Sequence, residues 1–300
     1  MHGFIVVDKP AGMTSHDVVA RLRRILGMKK IGHTGTLDPF ATGVLPVALG
    51  EGTKAIPFLD EGVKEYRAVM RLGITTDTDD LEGRITLERP LEGIDDALIR
   101  ETFPLFTGEL SQIPPMYSAL KRNGVPLYKL ARRGEEVERE PRRLTVYSLV
   151  IDRIEFPFVT FTVRCSRGTY VRALARDLGE QLGCGAHLTA LRRVASGPFT
   201  LADAQTLEQL ADQRGAGTLP AGFVSLSAAL GHLTPAVLTP EGARRLRCGM
   251  LPTADDLTAP LPASAAGCRI LFTFDGAVVA VAEAVQEEER LRLRLLRGFN

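Results

Sequence analysis

Cysteine is scarce in this 300-residue sequence, tryptophan is absent, and no apolar run is long enough to cross a bilayer. The four cysteines share no CxxC spacing, so neither a zinc site nor a disulfide framework is supported, and we expect reduced structural cysteines. They are Cys165, Cys184, Cys248 and Cys268. The opening MHGFIVVDKP has no basic region followed by a long apolar core, which argues against a secretory signal. These absences favour a cytoplasmic protein without a membrane-spanning segment.

An excess of one charge sign is also missing, because the formal net charge is only +1. The charges are unevenly distributed, however. Residues 121–143 carry eight Lys or Arg against four Glu, and residues 164–193 carry six Arg against two acids, which gives +4 in each case. Phosphates respond to local potential rather than to the sum over the chain. Both an RNA-facing surface and solvated helix faces are compatible with these runs.

The stretch 32–55, GHTGTLDPFATGVLPVALGEGTKA, is the most informative part of the chain. It places Asp38 directly before Pro39, in a segment rich in glycine and threonine, with His33 five residues upstream. An apolar run at 44–49 follows and predicts a buried strand. Most Asp-Pro pairs are only turns. A rigid loop of this composition is also suited to presenting one carboxylate to a substrate.

The remaining pattern mixes strands and helices. Ser15 is predicted to cap a helix at 16–26 that Gly27 ends, and an amphipathic helix is predicted at 170–181. The segment DTDDLEG after the strand at 66–72 is interpreted as hairpin chemistry. Further strands are expected at 4–7, 144–153, 158–165 and 188–194, with short helices at 94–103 and 207–212.

The composition changes near the C-terminus. A flexible connection is predicted at 215–222, followed by a short helix at 241–247. Three strands are then expected, at 270–274, 278–284 and 291–296. This pattern indicates a small β-rich module of about 60 residues.

The 32–55 string closely resembles the catalytic motif GHxGxLDPxATGxL of the TruB family of tRNA pseudouridine synthases. Four further segments resemble the family in the same order: GFIVVDKPAGMTSHDVV at 3–19, KEYRAVMRLGITTDTDDLEG at 64–83, QIPPMYSALKRNGVPLYKLARRG at 112–134 and CSRGTYVRALARDLGEQLGCGAHLTALRR at 165–193. The likeness is strong over roughly the first two thirds of the chain.

The resemblance implies an α+β architecture. The expected pseudouridine synthase fold has a mixed, largely antiparallel central sheet flanked by helices, with the active site in a central cleft. A catalytic domain at 1–232, with a thumb-like insertion at 113–143, would precede a PUA-like RNA-binding β domain at 233–300.

The resemblance also implies roles for individual residues. Asp38 would be the nucleophile and Arg172 its charge partner. Tyr66 would stack on the target base and is the candidate for proton removal, while Tyr170 and Leu191 would line the uracil site. His33 would enter the RNA and fill the gap left by the flipped uridine. Phosphate contacts would come from five cations of the insertion: Lys121, Arg122, Lys129, Arg132 and Arg133.

The implied substrate is the uridine at position 55 in the T-arm of tRNA, which becomes pseudouridine. This isomerisation adds no atoms and involves no net oxidation, so no cofactor or metal is expected. A monomer without an obligatory protein partner is implied. The sequence leaves open whether Asp38 attacks C1′, attacks the uracil ring or promotes elimination across the sugar.

Three other functions compete. The GxGxxA pattern at 50–55 is a weak dinucleotide signature, but Pro57 and Gly62 leave almost no room for the long helix that should follow it. A non-catalytic RNA-binding or RNA-chaperone protein would share the basic runs but would have no use for a presented Asp38. A guide-RNA-dependent synthase, as in archaea and eukaryotes, is less compatible with the DKPAGMTSHD opening and the insertion.

Overall fold

The computed structural model describes residues 1–213, 220–287 and 290–299. Its helices are α1 (Ser15–Leu26), α2 (Gly52–Ala55), α3 (Asp96–Thr102), α4 (Leu127–Ala131), α5 (Val171–Gln181), α6 (Leu207–Asp212), α7 (Leu226–Ala229) and α8 (Pro240–Arg247). Short 3-10 segments lie at Ile56–Phe58, Phe103–Phe106, Leu201–Asp203, Ala254–Asp256 and Ala263–Ala265.

The strands alternate with these helices along the chain. They are β1 (Gly3–Lys9), β2 (Ile31–His33), β3 (Thr42–Leu49), β4 (Val63–Leu72), β5 (Ile74–Thr76), β6 (Ile85–Glu88), β7 (Gly108–Gln112), β8 (Lys121–Arg122), β9 (Val125–Pro126), β10 (Arg142–Glu155), β11 (Phe158–Ser166), β12 (Ala186–Ser196), β13 (Phe199–Thr200), β14 (Ala204–Gln205), β15 (Val224–Ser225), β16 (Thr234–Val237), β17 (Arg269–Phe274), β18 (Ala277–Glu287) and β19 (Arg290–Gly298). Every strand and helix predicted from the pattern within these ranges is confirmed, with ends that differ by a few residues.

Within the described residues, the main sheet has the order β14-β1-β3-β12-β4-β11-β10-β7, and β2, β13 and β15 pair at its margins. The β1–β14 and β3–β12 pairs are parallel, and the other pairs are antiparallel. The predicted mixed, largely antiparallel sheet of an α+β fold is therefore confirmed. Strand β3 pairs with β12 only at Thr42 and Gly43, so the sheet divides beyond this point.

The prediction that Ser15 caps α1 is wrong. Thr14 is the N-cap and forms a capping box with Asp17, in which each side chain accepts a hydrogen bond from the other's backbone N–H. Ser15 is buried, and its hydroxyl bonds the backbone of Leu37 instead. Helix α1 does end at Gly27, which has a φ of 65° that glycine adopts without strain.

The main core lies between one face of the sheet and helices α1 and α5. Val18 and Leu22 of α1, Leu174 and Leu178 of α5, and Met70 of β4 are all buried in it. Both helices carry these apolar residues three or four positions apart, which aligns them on one face. This packing fixes the ends of α1 and α5 that lie nearest to the motif loop.

The C-terminal residues form a second sheet of order β16-β17-β18-β19, which confirms a C-terminal β domain. An apolar cluster joins it to the main sheet, because Phe4 and Val44 pack in one core with Leu271, Val281 and Phe299. The boundary at 232/233 and the PUA-like character stay predictions. Most of the predicted connection at 215–222 lies outside the described residues.

The segment DTDDLEG connects β5 and β6, which pair as the expected hairpin. The insertion at 113–143 contains a two-residue ladder between β8 and β9, then α4, and its last residues begin β10. In the described part of the chain, no helix is both long and apolar enough to span a membrane.

Candidate active site

The loop between β2 and β3 carries Asp38 and is held by hydrogen bonds from the Lys9 side chain. The Lys9 side chain is fully buried, and its Nζ donates hydrogen bonds to the carbonyl oxygens of Pro10, Pro39 and Ala41 at 2.8, 3.1 and 2.7 Å. Burial lowers the pKa of Lys9 to about 8, against the attraction of Asp38. Lys9 therefore fixes the backbone on the C-terminal side of Asp38.

Arg193 holds the other side of the same loop. It is 0% exposed, and its guanidinium donates to the carbonyl oxygens of Val44, Gly35 and Thr36 at 2.7, 3.2 and 3.5 Å. The Ser15 hydroxyl accepts from the N–H of Leu37 at 2.9 Å. Buried backbone groups need such partners, since an unpaired one costs about 1–3 kcal/mol. The loop is thus clamped on both sides of Asp38.

Two motif glycines lie in close contact with their neighbours, and the backbone contact at Gly43 leaves no room for a side chain. A Cβ at position 35 would lie 2.6 Å from Lys64 Nζ, and a Cβ at position 43 would lie 2.2 Å from the carbonyl oxygen of Arg193. Gly43 also has a φ of 98°, which other residues rarely adopt. The Gly-rich composition of the loop therefore follows from close contact with buried cations and with β12.

Arg172 lies directly against Asp38. Its side chain is 3% exposed, and its Nε and Nη2 approach the two carboxylate oxygens at 2.9 and 3.2 Å. The Nη2 contact is a hydrogen bond, whereas the Nε–H is not aligned with an acceptor and that contact is an ion pair. Asp38 itself remains 32% exposed. Arg172 is therefore not an exposed helix arginine, and its expected contact with Asp38 is present.

The guanidinium of Arg172 makes three further contacts. It donates to the carbonyl oxygens of Thr78 and Tyr117 at 2.7 Å each, and it lies 3.4 Å from a carboxylate oxygen of buried Asp80. Arg172 therefore links the β5–β6 hairpin, the root of the insertion and the motif loop. A planar guanidinium can satisfy several fixed acceptors at once, which an ammonium cannot.

Sequence reasoning missed Asp79 and Asp80, which were interpreted only as hairpin residues. Asp79 is 3.1 Å from Arg176, one helical turn after Arg172. Burial raises the pKa values of both aspartates, while Arg176 and Arg172 respectively oppose that rise. The i, i+4 spacing of the two arginines on α5, facing two adjacent acids, was the available signal.

Tyr66 of β4 and Leu191 of β12 lie on the buried side of the sheet near this loop. Tyr66 is 8% exposed and is the register partner of Arg193 on the adjacent strand. Burial raises the pKa of Tyr66, and the positive charge of Arg193 opposes the rise. Leu191 pairs with Ala68 two residues further along β4. Both residues thus lie beside Arg193, whose side chain also bonds the loop.

Tyr170 occupies the N-cap position of α5, and Arg172 lies in the first turn of that helix. Its backbone exchanges two hydrogen bonds with the buried Gln112 side chain, at 2.9 and 3.2 Å. Burial raises the pKa of its phenol. Tyr170 is therefore tied to the last residue of β7, directly before the insertion.

His33 lies at the end of β2 rather than in a loop. Its ring contacts that of His16 edge to face, with centroids 5.1 Å apart, and its Nδ1 is buried without a hydrogen bond. Burial lowers the pKa of His33, and the neighbouring His16 lowers it further. A neutral imidazole at pH 7 follows from this environment.

A cleft of about 670 Å³ opens where the main sheet divides. It is lined by Gly12, Phe40, Ala68, Glu82 and Leu191, among others. Burial raises the pKa of Glu82, and the negative charges of Asp80 and Asp38 raise it further. The predicted insertion cations do not join this cleft. They are exposed, and they are Lys121, Arg122, Lys129, Arg132 and Arg133.

The Asp38 carboxylate is partly exposed and is fixed by the buried guanidinium of Arg172. Among the described residues, the cleft is lined by Phe40, two positions after Asp38, but not by Asp38, Tyr66 or Tyr170. Such a carboxylate can act as a nucleophile or as a base. In the described residues, no group of three or more His, Cys, Asp or Glu side chains is placed to hold a metal ion. Helix α2, at four residues, is too short for the phosphate-binding helix of a dinucleotide fold.

Comparison with known proteins identifies the family. Residues 23–171 match the family described as TruB family pseudouridylate synthase (N terminal domain), and residues 172–220 match the tRNA pseudouridylate synthase B C-terminal domain. A tRNA pseudouridine synthase B of Geobacter sulfurreducens is 57% identical over 100% of both chains. The enzyme of the same name from Syntrophotalea carbinolica is 46% identical over 100% of this chain and 98% of its own.

Solved structures agree with this result. A chain from a Cbf5-Nop10-Gar1 complex superposes with a TM-score of 0.74 at 29% identity, covering 98% of this chain and 83% of that one. A chain from an H/ACA RNP bound to a substrate RNA gives a TM-score of 0.73 at 27% identity, covering 98% and 83%. The matched fold, the full-length relatives and the motif loop together show that this protein belongs to the TruB family of pseudouridylate synthases, which are isomerases.

Proposed function

We propose that this protein converts uridine 55 in the T-arm of tRNA to pseudouridine, with Asp38 as the nucleophile. The observation that carries the proposal is the Asp38 carboxylate, partly exposed and held by buried Arg172 on a doubly clamped loop. The tRNA substrate is supported by the names of the full-length relatives.

The reaction breaks the bond between uracil N1 and ribose C1′ and forms a bond between C5 and C1′. The hydrogen on C5 is lost as a proton, and N1 gains one, so the product is an isomer of the substrate. The active site must stabilise the detached base and keep it from escaping. The buried guanidinium of Arg172 beside the proposed nucleophile is suited to stabilising charge at that point.

The surrounding residues then take distinct roles. Arg172 holds the Asp38 carboxylate in one orientation. Tyr66 would stack on the flipped uracil and accept the C5 proton, and Tyr170 and Leu191 would line the other walls. Stacking contributes roughly 1–3 kcal/mol per base, comparable to the cost of flipping a nucleotide. His33, neutral and apolar on its buried side, would fill the vacated position in the RNA.

RNA would also be held outside the cleft. The exposed cations of the insertion would contact phosphates, which position an RNA without reading its sequence. The C-terminal β domain, proposed to be PUA-like and to begin near residue 233, would bind a further part of the tRNA. We propose a cytoplasmic monomer that needs no obligatory protein partner.

The test is tritium release from a tRNA T-arm stem-loop labelled at uracil C5, with no cofactor added. Native protein is expected to release tritium, because C5 loses its hydrogen only when it becomes the new attachment point. Asp38→Asn keeps the size of the side chain and should abolish release while retaining RNA binding. Tight binding without release by the native protein would contradict the proposal and favour a pure RNA-binding role.

A guide-RNA-dependent reaction is a second candidate, because proteins in H/ACA complexes share the fold at TM-scores above 0.7. The stand-alone reaction is favoured by full-length relatives at 57% and 46% identity that are named tRNA pseudouridine synthase B. The tritium assay separates the two candidates, since the stand-alone enzyme needs no second RNA. Release that depends on an added guide RNA would select the alternative.

A further inference from the structure

A basic surface lies at the C-terminal end of α1, apart from the insertion and the C-terminal domain. Residues 20–30 contain five cations and no acid. These are Arg21, Arg23, Arg24, Lys29 and Lys30, which we call the α1 patch. A surface hollow of about 500 Å³ is lined by Arg23, Arg24 and Lys29 together with Gly27 and Met28.

The members of the α1 patch differ in how their charges are used. Arg21 pairs with Glu208 and Lys30 with Glu51, while Arg23 donates to the carbonyl oxygen of Ile31. Arg24 and Lys29 are exposed and have no ion pair or side-chain hydrogen bond to any described residue. The patch therefore presents uncompensated positive charge to solvent.

The α1 patch is directly connected to the active site through two rigid elements. Ser15, at the first turn of α1, bonds Leu37 beside Asp38, and Arg24 lies nine residues along the helix, about 14 Å away at 1.5 Å per residue. Lys30 precedes β2, which carries His33 three residues later, about 10 Å away at 3.3 Å per residue. A nucleic-acid strand carries a phosphate for about every 3.4 Å of duplex axis. An RNA with one base in the cleft would thus place phosphates within reach of the patch.

Stabilisation of α1 explains only part of the patch. Arg23 and Arg24 lie in the last turn, where positive charge interacts favourably with the helix dipole. Lys29 and Lys30 lie beyond Gly27 and the end of the helix, so the dipole gives no reason for them. Arg24 and Lys29 have no acidic partner among the described residues, and both line the hollow. Binding of a polyanion explains their positions better than stabilisation of the helix does.

We propose that the α1 patch, through Arg24 and Lys29, binds the phosphate backbone of the substrate RNA and docks it for entry of the target base into the cleft. The proposal rests on the function proposed above. The contact is electrostatic and independent of RNA sequence. It would act on binding and not on the bonds that are made and broken at Asp38.

The experiment measures the affinity of full-length tRNA for the full chain as a function of KCl concentration. Arg24→Gln/Lys29→Gln is expected to weaken binding about tenfold near physiological salt and to reduce the slope of log K against log [salt] by about 1.8, or about 0.9 for each lost phosphate contact. The rate of pseudouridine formation at saturating tRNA should match that of the native chain.

The matched control is Arg100→Gln/Arg153→Gln. It removes the same charge from two exposed arginines that already pair with Asp96 and Glu155. We expect native affinity and slope. Lys29→Gln alone, which lies outside the helix, should give about half the effect of the double variant without a change in thermal unfolding.

An unchanged affinity and slope in the Arg24→Gln/Lys29→Gln variant would overturn the proposal and leave the patch to an acidic protein partner. So would native affinity of Lys29→Gln combined with lower stability of the double variant, because the cations would then serve the helix. Failure of the proposed function is seen separately, since the native protein would bind tRNA but form no pseudouridine.

Discussion

Tyr66 is the residue whose environment bears most directly on its proposed role. Burial raises the pKa of its phenol, so at pH 7 nearly all molecules carry the neutral form, which can stack but cannot accept a proton. If Tyr66 accepts the C5 proton, the rate should rise with pH between 7 and 9 as the phenolate fraction grows. Tyr66→Phe should keep RNA binding and lose about 10²–10⁴-fold in kcat. Single-turnover rates with labelled tRNA measure both the pH dependence of the native protein and the loss of rate in Tyr66→Phe.

The control for that pH profile is the profile of the Tyr66→Phe variant, which lacks the phenol but keeps the other titrating groups. Lys9 and Lys64 have pKa values that burial lowers to about 8, so they titrate in the same range. Any effect of theirs appears equally in the variant. A variant with near-native rates and the same profile as the native protein would show that the ring alone is needed, and the proton acceptor would have to be another group.

Arg193 is the residue for which loop geometry and charge can be separated. Arg193→Lys keeps the positive charge beside Tyr66, but one ammonium cannot reach the carbonyl oxygens of Val44, Gly35 and Thr36 together. A buried carbonyl left unpaired costs about 1–3 kcal/mol of unfolding free energy. Displacement of the Asp38 loop by a fraction of an ångström should lower kcat by up to about 10²-fold with little change in KM.

The matched control is the next residue in the chain. Arg192 is half-exposed and forms an ion pair with Asp8 at 2.7 Å, a kind of contact that contributes about 0–1 kcal/mol. Arg192→Lys should therefore leave unfolding and kcat close to native values. Equal losses in the two variants would contradict a specific role for Arg193 in holding the loop.

At the scale of single residues, the sequence indicated the proposed catalytic residues more clearly than the residues that hold them in place. Asp38 and Arg172 stand in a motif that is recognisable without coordinates, and they are in contact. Asp80 and Arg193 were missed because their roles depend on tertiary contacts across 92 and 149 positions, with Arg172 and Val44 respectively. An aspartate in DTDDLEG has the composition of a turn whether or not it faces an arginine.

Helix α1 separates capping from loop support in two adjacent residues. Thr14→Ala removes the N-cap and should cost about 1 kcal/mol of stability without altering kcat. Ser15→Ala leaves the N–H of Leu37 unpaired, so it should both destabilise the protein by about 1–3 kcal/mol and lower kcat, because Leu37 precedes Asp38. Thermal unfolding and single-turnover rates distinguish the two.

If α1 served only as a packing element, both variants would lose stability and neither would lose kcat. A loss of kcat in Thr14→Ala alone would show that the loop depends on the helix end as a whole. The pair thus tests whether the bond between Ser15 and Leu37 positions the nucleophile.

Elements were predictable where periodicity was long and unclear where it was short. The alternation in β4 and β11 and the apolar face of α5 each extend over nine or more residues and gave the correct type. Strand β2 has only three residues, and it was missed because its identity comes from pairing with β3. The cap was misassigned because Thr14 and Ser15 are both good N-cap residues, and only the geometry decides.

For the whole molecule, the sequence predicted a C-terminal β module but not its attachment. Leu271, Val281 and Phe299 each read as ordinary strand or terminal residues, yet they share a core with Phe4 and Val44. Phe4 lies on β1, which also carries Lys9, and Val44 lies on β3, which follows the Asp38 loop. The packing of two sheets on each other is set by tertiary complementarity, which no local pattern reports.

This shared core predicts that the two sheets unfold together. Leu271→Ala removes a buried side chain from the joint cluster, and Leu246→Ala removes one from the cluster confined to the C-terminal domain. Each should cost about 2–5 kcal/mol. In calorimetry, the native chain should show one transition with equal calorimetric and van't Hoff enthalpies, and both variants should shift that whole transition downward. Two transitions, with Leu246→Ala moving only the smaller, would show that the C-terminal domain unfolds independently and that the joint core does not couple it to the strands supporting Asp38.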